Sequence, residues 1–310
     1  MAKMNQVSIV EMGMRDGLQN EKITLSAETR IEFAEKLLSA GIQRLEIGAF
    51  VSPQWVPQMN QSEVIVDELF RRYQKNKKIQ FSTLVPNEKG MSLALKTPIK
   101  EIALFAACSE SFSKKNINCN IEESFERFAA VMKLAKKNKI KVRGYLSVCF
   151  GCPFEGKVSE KKVVELAKRF HQLGCYEISI GDTIGVATAG QVESLFKKLK
   201  KVMPVKKLAG HFHDTRGQAL ANILAAYRVG VRVFDTSLGG LGGCPYAPGA
   251  TGNVATEDVV YMFEGMNIRT GISLPELLNI NPWIADKVQH QLPSRVGKVG
   301  LLQPQGRIIS

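Results

Sequence analysis

Two hydrophobic periodicities alternate along the chain. Short runs rich in β-branched and aromatic residues recur eight times: "VSIVEM" from Val7, "RLEIGAF" from Arg44, "IQFSTLV" from Ile79, "EIALFAA" from Glu101, "VRGYLSVCF" from Val142, "YEISIGD" from Tyr176, "LAGHFHD" from Leu208 and "VRVFDTSL" from Val231. Such runs predict strands. Segments with helical spacing fill the gaps. "SAETRIEFAEKLLSAG" opens on Ser26 as an N-cap and stops at Gly41, "SEKKVVELAKRFHQLG" runs likewise from Ser159 to Gly174, and "GQALANILAAYRVG" ends at Gly230. A helix that closes on glycine and is followed by an apolar strand is the repeating half of a β/α unit. Eight strands alternating with helices, with no hairpin between them, predict a (β/α)8 TIM barrel. An open dinucleotide-binding sheet would favour GxGxxG after its first strand, and "EMGMRDG" is not that motif. Helical patterns continue after the eighth strand in "ATEDVVYMFEGM" and "LPELLNI". The expected organisation is one domain, residues 1–310. The barrel spans about 5–245, and a lid loop and extra C-terminal helices span about 239–310.

A barrel fixes where chemistry can sit, because its active sites lie at the C-terminal ends of the strands. In "HFHD", His211 and His213 are two apart, so in a strand they share one side while Phe212 takes the other. Alternation places Ala209, His211 and His213 toward the barrel axis. Two imidazoles on one face are half of a metal site. From the spacing alone, a buried and hydrogen-bonded pair is the commoner outcome, so both readings stay open. Asp16, in "MRDG" after the first strand, offers a carboxylate at the same rim, and Arg15 beside it is either a plain ion pair or a stabiliser of anionic charge. Glu46 alternates against Leu45 and Ile47, faces inward and needs a partner, for which Arg15 is the candidate. Asp182 ends the sixth strand, but strict alternation groups it with Ile178 and Ile180, so a bend at Gly181 would have to re-aim it. The glycine-rich "SLGGLGGCPYAPGATGN", from Ser237 to Asn253, reads as a surface loop or, on a barrel rim, as a lid carrying the thiol of Cys244.

Composition changes this picture little. The 310 residues are 45% hydrophobic and 23% charged, as in an ordinary globular protein. No apolar run is long enough to span a membrane, and "MAKMNQVSIVEM" resembles neither a signal nor a transit peptide. Six scattered cysteines suit a reducing compartment, and "CFGC" (Cys149 to Cys152) lacks the second pair that a zinc site requires. A cytoplasmic protein is expected. The net charge of +13 raises nucleic acid as a partner. However, the surplus lies in "RRYQKNKK", "KLAKKNKIK" and "KKLKKVMPVKK", each ending a helix just before a strand. Cations there complement the helix dipole on the face opposite the active site, which argues against that partner.

Taken together, "VSIVEMGMRDGLQNEK", "AACSESFSKKNINCNIEESFERF", "GCPFEGKVS", "ISIGDTIGVATAGQV", "HFHDTRGQALAN" and "GGLGGCPYAPGATGNVATEDVVYM" resemble the hydroxymethylglutaryl-CoA lyases, from about Val7 to Leu278. "RDGLQNE" and "GGCPYAPGATGN" are the specific stretches, and the tail after about Pro293 departs from the pattern. The resemblance implies cleavage of 3-hydroxy-3-methylglutaryl-CoA to acetyl-CoA and acetoacetate with a divalent metal, Mg²⁺ or Mn²⁺. It implies Asp16, His211, His213 and Asn253 as metal ligands. Arg15, Glu46, Asp182 and Cys244 would be catalytic positions. Arg15, Gln19, Lys22, Lys115 and Asn116 would meet the acyl-CoA. A homodimer is expected, with no membrane or nucleic-acid partner. A related metal-dependent acyl-CoA condensing enzyme, of the isopropylmalate or homocitrate synthase type, is the competing expectation.

Overall fold

A computed structural model of the chain describes residues 6–243, 252–302 and 308–309. Eight parallel strands close into a barrel in sequence order. They are β1 (Ser8–Glu11), β2 (Arg44–Ala49), β3 (Gln80–Leu84), β4 (Glu101–Ala107), β5 (Lys141–Ser147), β6 (Glu177–Asp182), β7 (Leu208–Phe212) and β8 (Val233–Thr236). Eight helices lie between successive strands: α1 (Ala27–Ser39), α2 (Ser62–Tyr73), α3 (Glu88–Ala94), α4 (Glu110–Ile117), α5 (Ile121–Lys137), α6 (Glu160–Leu173), α7 (Ala189–Leu199) and α8 (Ala219–Val229). The expected caps form. The Ser26 side chain accepts from the Thr29 amide at 3.2 Å, and Gly174 and Gly230 end α6 and α8 in the left-handed region at φ 103° and 117°.

After the barrel come α9 (Thr256–Gly265), α10 (Leu274–Val288) and α11 (Arg295–Val299). Helix α10 continues well past the "LPELLNI" pattern, through Pro282. A proline inside a helix forfeits a backbone hydrogen bond, and the burial of Leu277, Ile280, Ile284 and Val288 against the core offsets it. Strand β5 is shorter than the apolar run suggested. Val148 takes φ 54°, a strained conformation for a β-branched residue, and its amide donates to Thr183 Oγ1 at 2.8 Å.

The space between the sheet and the helices is apolar, but much of the barrel interior is charged. Arg143 is fully buried between two carboxylates. Its Nε donates to Glu177 Oε1 at 2.7 Å and its Nη2 to Asp235 Oδ1 at 2.7 Å. Arg44 Nη2 also reaches Glu177 Oε1, at 2.8 Å. Each acid therefore faces a guanidinium, and burial alone would make their charged forms costly. The three lysine-rich runs close α2, α5 and α7 just before β3, β5 and β7, on the N-terminal face of the barrel as expected.

Removing Arg143 would leave Asp235 buried without its guanidinium, and Glu177 with Arg44 alone. Arg143→Met should lower the unfolding free energy by about 3–5 kcal/mol, the usual result of breaking a buried ion pair. Denaturant titration with a circular dichroism readout measures it. A loss below about 1 kcal/mol would mean that water or rearrangement replaces the guanidinium.

Candidate active site and metal centre

Beyond β1 the chain turns sharply through a π-helical turn, Gly13–Gly17, which carries Arg15 and Asp16 over the barrel mouth. Packing requires glycine at its end, since a Cβ on Gly17 would stand 2.8 Å from Ser237 Oγ. Glu11 anchors the turn. Its Oε1 accepts from the amides of Gly13 (2.8 Å) and Leu238 (2.9 Å), and its Oε2 from Thr256 Oγ1 (2.6 Å). Complete burial pushes this carboxyl up to about 7 despite those donors.

Strand β7 turns Phe212 outward, against Phe150 and Phe196, so His211 and His213 point into the barrel mouth. With Asp16 they form a cluster whose candidate ligand atoms all lie within 4.8 Å of one another. His211 Nε2 and His213 Nε2 are 3.8 and 3.9 Å from Asp16 Oδ2. Those separations exceed hydrogen-bond length. Two atoms each about 2.1 Å from a shared ion can be at most about 4.2 Å apart, so the spacing fits a metal between them. Burial would raise the Asp16 carboxyl, but Arg15 and the two histidines more than offset this and hold it well below its usual range. Asp16 is therefore ionised, as a metal ligand must be. Behind the cluster, Asp235 Oδ2 lies 3.4 Å from His211 Nδ1, where it can fix the ring so that Nε2 faces the site. The mixed nitrogen and oxygen donor set suits Mg²⁺, Mn²⁺ or a similar divalent ion.

Asn253 joins this group through a bridge to His213. Its Nδ2 donates to Asp16 Oδ2 at 2.9 Å and to Leu241 O at 3.2 Å. The amide nitrogen thus faces the carboxylate, and ligation through the amide oxygen would require the side chain to turn over.

Arg15 is held from two sides. Its Nη1 meets Asp16 Oδ1 at 2.5 Å and its Nε bonds Glu46 Oε1, as the inward placement of Glu46 anticipated. The second oxygen of Glu46 accepts from the Tyr145 hydroxyl, which also lies 2.9 Å from Arg143 Nη1. Sequence reasoning missed Tyr145, together with Ser147 and Ser179. Alternation along β5 and β6 was the available signal, since these polar residues are buried on the inner side of the barrel with Arg143 and Glu177.

Above the cluster opens a cavity of about 1010 Å³, lined by Arg15, Asp16, His211 and His213 below and by Gln19, Lys115 and Asn116 toward its rim. Lys115 Nζ lies 3.8 Å over the Phe154 ring. Two expected residues are not brought there. Lys22 does not line this cavity. Both oxygens of Asp182 accept backbone amides, from Val186 at 3.0 Å and Ala187 at 2.9 Å. Asp182 thus braces the loop after β6 and does not line the cavity, yet it lies near enough to His213 and His211 for them to oppose the rise that burial imposes on its carboxyl. Cys244 lies outside the described residues. Gly243, the last described residue before it, accepts through its carbonyl from Asn20 Nδ2 at 3.3 Å.

The sequence profile of the HMGL-like family matches residues 6–284, nine-tenths of the 310 residues. The chain belongs to the HMGL-like family. Among individual members, it is 49% identical over 293 residues to the mitochondrial hydroxymethylglutaryl-CoA lyase of Homo sapiens, covering 94% of this chain and 89% of the relative. It is 46% identical over 293 residues to the 3-hydroxy-3-isohexenylglutaryl-CoA/hydroxymethylglutaryl-CoA lyase of Pseudomonas aeruginosa, covering 94% and 96%. The solved structure of an HMG-CoA lyase from Acinetobacter baumannii, in complex with coenzyme A and 3-methylmalate, superposes with a TM-score of 0.92 at 35% identity, covering 98% of both chains. Among the described residues, no helix is long and apolar enough to cross a membrane.

Two measurements test this geometry. His213→Ala should lose most Mn²⁺ binding in a calorimetric titration while keeping its circular dichroism spectrum. Undiminished binding would place the ion elsewhere. For Glu11, the folded value lies above the unfolded one. Its contribution to stability is therefore fully present below about pH 4.5 and lost as pH rises through about 7. Glu11→Gln should flatten that part of the stability profile, read as melting temperature against pH. An unchanged slope would assign the proton uptake to another group.

Proposed function

We propose that the protein is a divalent-metal-dependent carbon–carbon lyase that cleaves 3-hydroxy-3-methylglutaryl-CoA to acetyl-CoA and acetoacetate. The observation that carries this reading is the Asp16–His211–His213 cluster with Arg15 directly beside it, at the floor of one large cavity. The near-half identity to named lyases over almost the whole chain supports it. A condensing enzyme of the isopropylmalate or homocitrate synthase type is not favoured, since relatives at 46–49% identity over 94% of the chain are named lyases. Leucine degradation and ketone-body formation are the setting the family resemblance suggests; the scattered cysteines and the N-terminal sequence suggest the cytoplasm, and a homodimer is the expected assembly.

The chemistry needs three services. A divalent ion held by Asp16, His211 and His213, with Asn253 as a further ligand, would acidify the C3 hydroxyl and orient the substrate carboxylate. Once that hydroxyl gives up its proton to a base, for which Asp182 and a site histidine are the candidates, the C2–C3 bond breaks. C3 becomes the ketone of acetoacetate, and the electron pair moves into the thioester as an enolate. Arg15 lies where that new negative charge needs a cation, and Glu46, itself bonded by Tyr145, holds the guanidinium in place. The enolate carbon then takes a proton, a role we assign to the Cys244 thiol on the glycine-rich loop. Asp182 accepts one loop amide on each oxygen, which leaves a lone pair on each, so its carboxylate can still take the hydroxyl proton. Gln19, Lys115 and Asn116, which line the cavity, would meet the coenzyme A portion, and Lys22 stands outside that set.

The deciding assay supplies 3-hydroxy-3-methylglutaryl-CoA with Mg²⁺ or Mn²⁺ and follows acetoacetate. Product should form, and chelation should abolish it. Arg15→Met should lower kcat by roughly 10²–10³ with little change in KM, as expected when a contact made only to the developing anion is lost. A change confined to KM would make Arg15 a ground-state binding residue. Release of free coenzyme A from acetyl-CoA and an oxoacid would favour the condensing reaction instead.

A further inference from the structure

The floor of the cavity is divided by polarity. On the side of β1 and β7 it presents Arg15, Asp16, His211 and His213. Opposite them, on β3 and β4, it presents Leu84 and Phe105. Both are only partly buried. They pack on an apolar plug of Val10, Met12, Ala103 and Tyr145 inside the barrel. This plug is an exception in an interior otherwise built from Arg143, Glu177 and Asp235. An apolar wall facing a cation site across a substrate cavity calls for a ligand with the same division.

The proposed substrate has that division at its reacting carbon. C3 bears a hydroxyl, a carboxylate arm, a thioester arm and one alkyl group. The first two belong with the ion and its ligands. The thioester arm leads out toward the rim, where Lys115 and Asn116 stand. The alkyl group is the remaining bond of the tetrahedron and has no polar atom, so it points away from Arg15 and Asp16. Of the apolar side chains lining the cavity, Leu84 and Phe105 are the ones carried on the inner side of the barrel strands opposite the cation site. We propose that Leu84 and Phe105 gauge the C3 alkyl substituent and so set which 3-hydroxy-3-alkylglutaryl-CoA esters this enzyme accepts. The inference rests on the lyase reading above.

Discrimination per methylene in an apolar pocket is worth roughly 10–200-fold in kcat/KM. The test compares kcat/KM for the 3-methyl substrate with that for its 3-ethyl and 3-butyl homologues in wild type, Leu84→Ala, Phe105→Ala and the milder Phe105→Leu. A ratio of two substrates on one preparation cancels any loss of folded enzyme. It also separates gauging from a general structural role, which would lower all substrates alike. The two alanine variants should raise the long-to-short ratio by about tenfold or more, and Leu84→Phe should lower the 3-ethyl ratio by a similar factor. Cleavage of the 3-methyl ester with ratios that stay within about twofold of wild type in every variant would overturn the gauge and leave the lyase reading intact. Failure of the wild type to cleave any of the three esters would instead remove the lyase reading on which the gauge rests.

Discussion

The buried guanidinium of Arg143 is the constraint on which the rest of the barrel interior depends. A closed barrel of eight strands has an interior that side chains must fill, and here the filling is ionic rather than aliphatic. Such a filling is tolerable only if every charge is met, because an uncompensated ion in that medium costs several kcal/mol. Arg143 bonds Glu177 below and Asp235 across the barrel, and it also touches Tyr145. Two chains of contacts leave it for the mouth. One runs through Asp235 to His211. The other runs through Tyr145 and Glu46 to Arg15. The groups proposed to do chemistry are thus aimed from beneath by strands rather than by loops.

This arrangement also explains why a cation belongs at the mouth. Around Arg15 stand two acids, Asp16 and Glu46, the first of which turns its second oxygen toward two histidines at separations too long for hydrogen bonds. The donors there are of the type that divalent metals take. The same acids keep the guanidinium charged and oriented. The ion and Arg15 would then share the task of receiving negative charge, one at the C3 oxygen and the other at the thioester.

The C-terminal extension serves the same rim. Glu257, on α9, accepts from the Gly239 amide at 3.0 Å and from Asn281 Nδ2 on α10 at 2.8 Å. Asp258 accepts from Ser294 Oγ at 2.8 Å and from the Arg295 and Val296 amides. With Glu11, these buried acids tie the segments on either side of the glycine-rich loop to β1 and to the last helices. The basic surplus of the chain has no part in this. Its lysine runs close helices on the opposite face, where they answer helix dipoles.

The barrel and most of its site were legible in the chain because both follow from period. Strand alternation is a local property, so it put His211, His213 and Glu46 toward the axis and Phe212 against the helices without any knowledge of neighbours. The placement of chemistry at the strand ends then brought Asp16 and Arg15 to the histidines. Tertiary structure decided what depends on contacts between distant residues. Tyr145 became a partner of Glu46 because β5 faces β2 across the barrel. Asp182 was taken by the amides of its own loop, and Lys22 was left off the cavity wall. The amide of Asn253 turned its nitrogen toward Asp16. Each of these outcomes is set by which donor meets which acceptor in space, and spacing along a single strand carries no information about that.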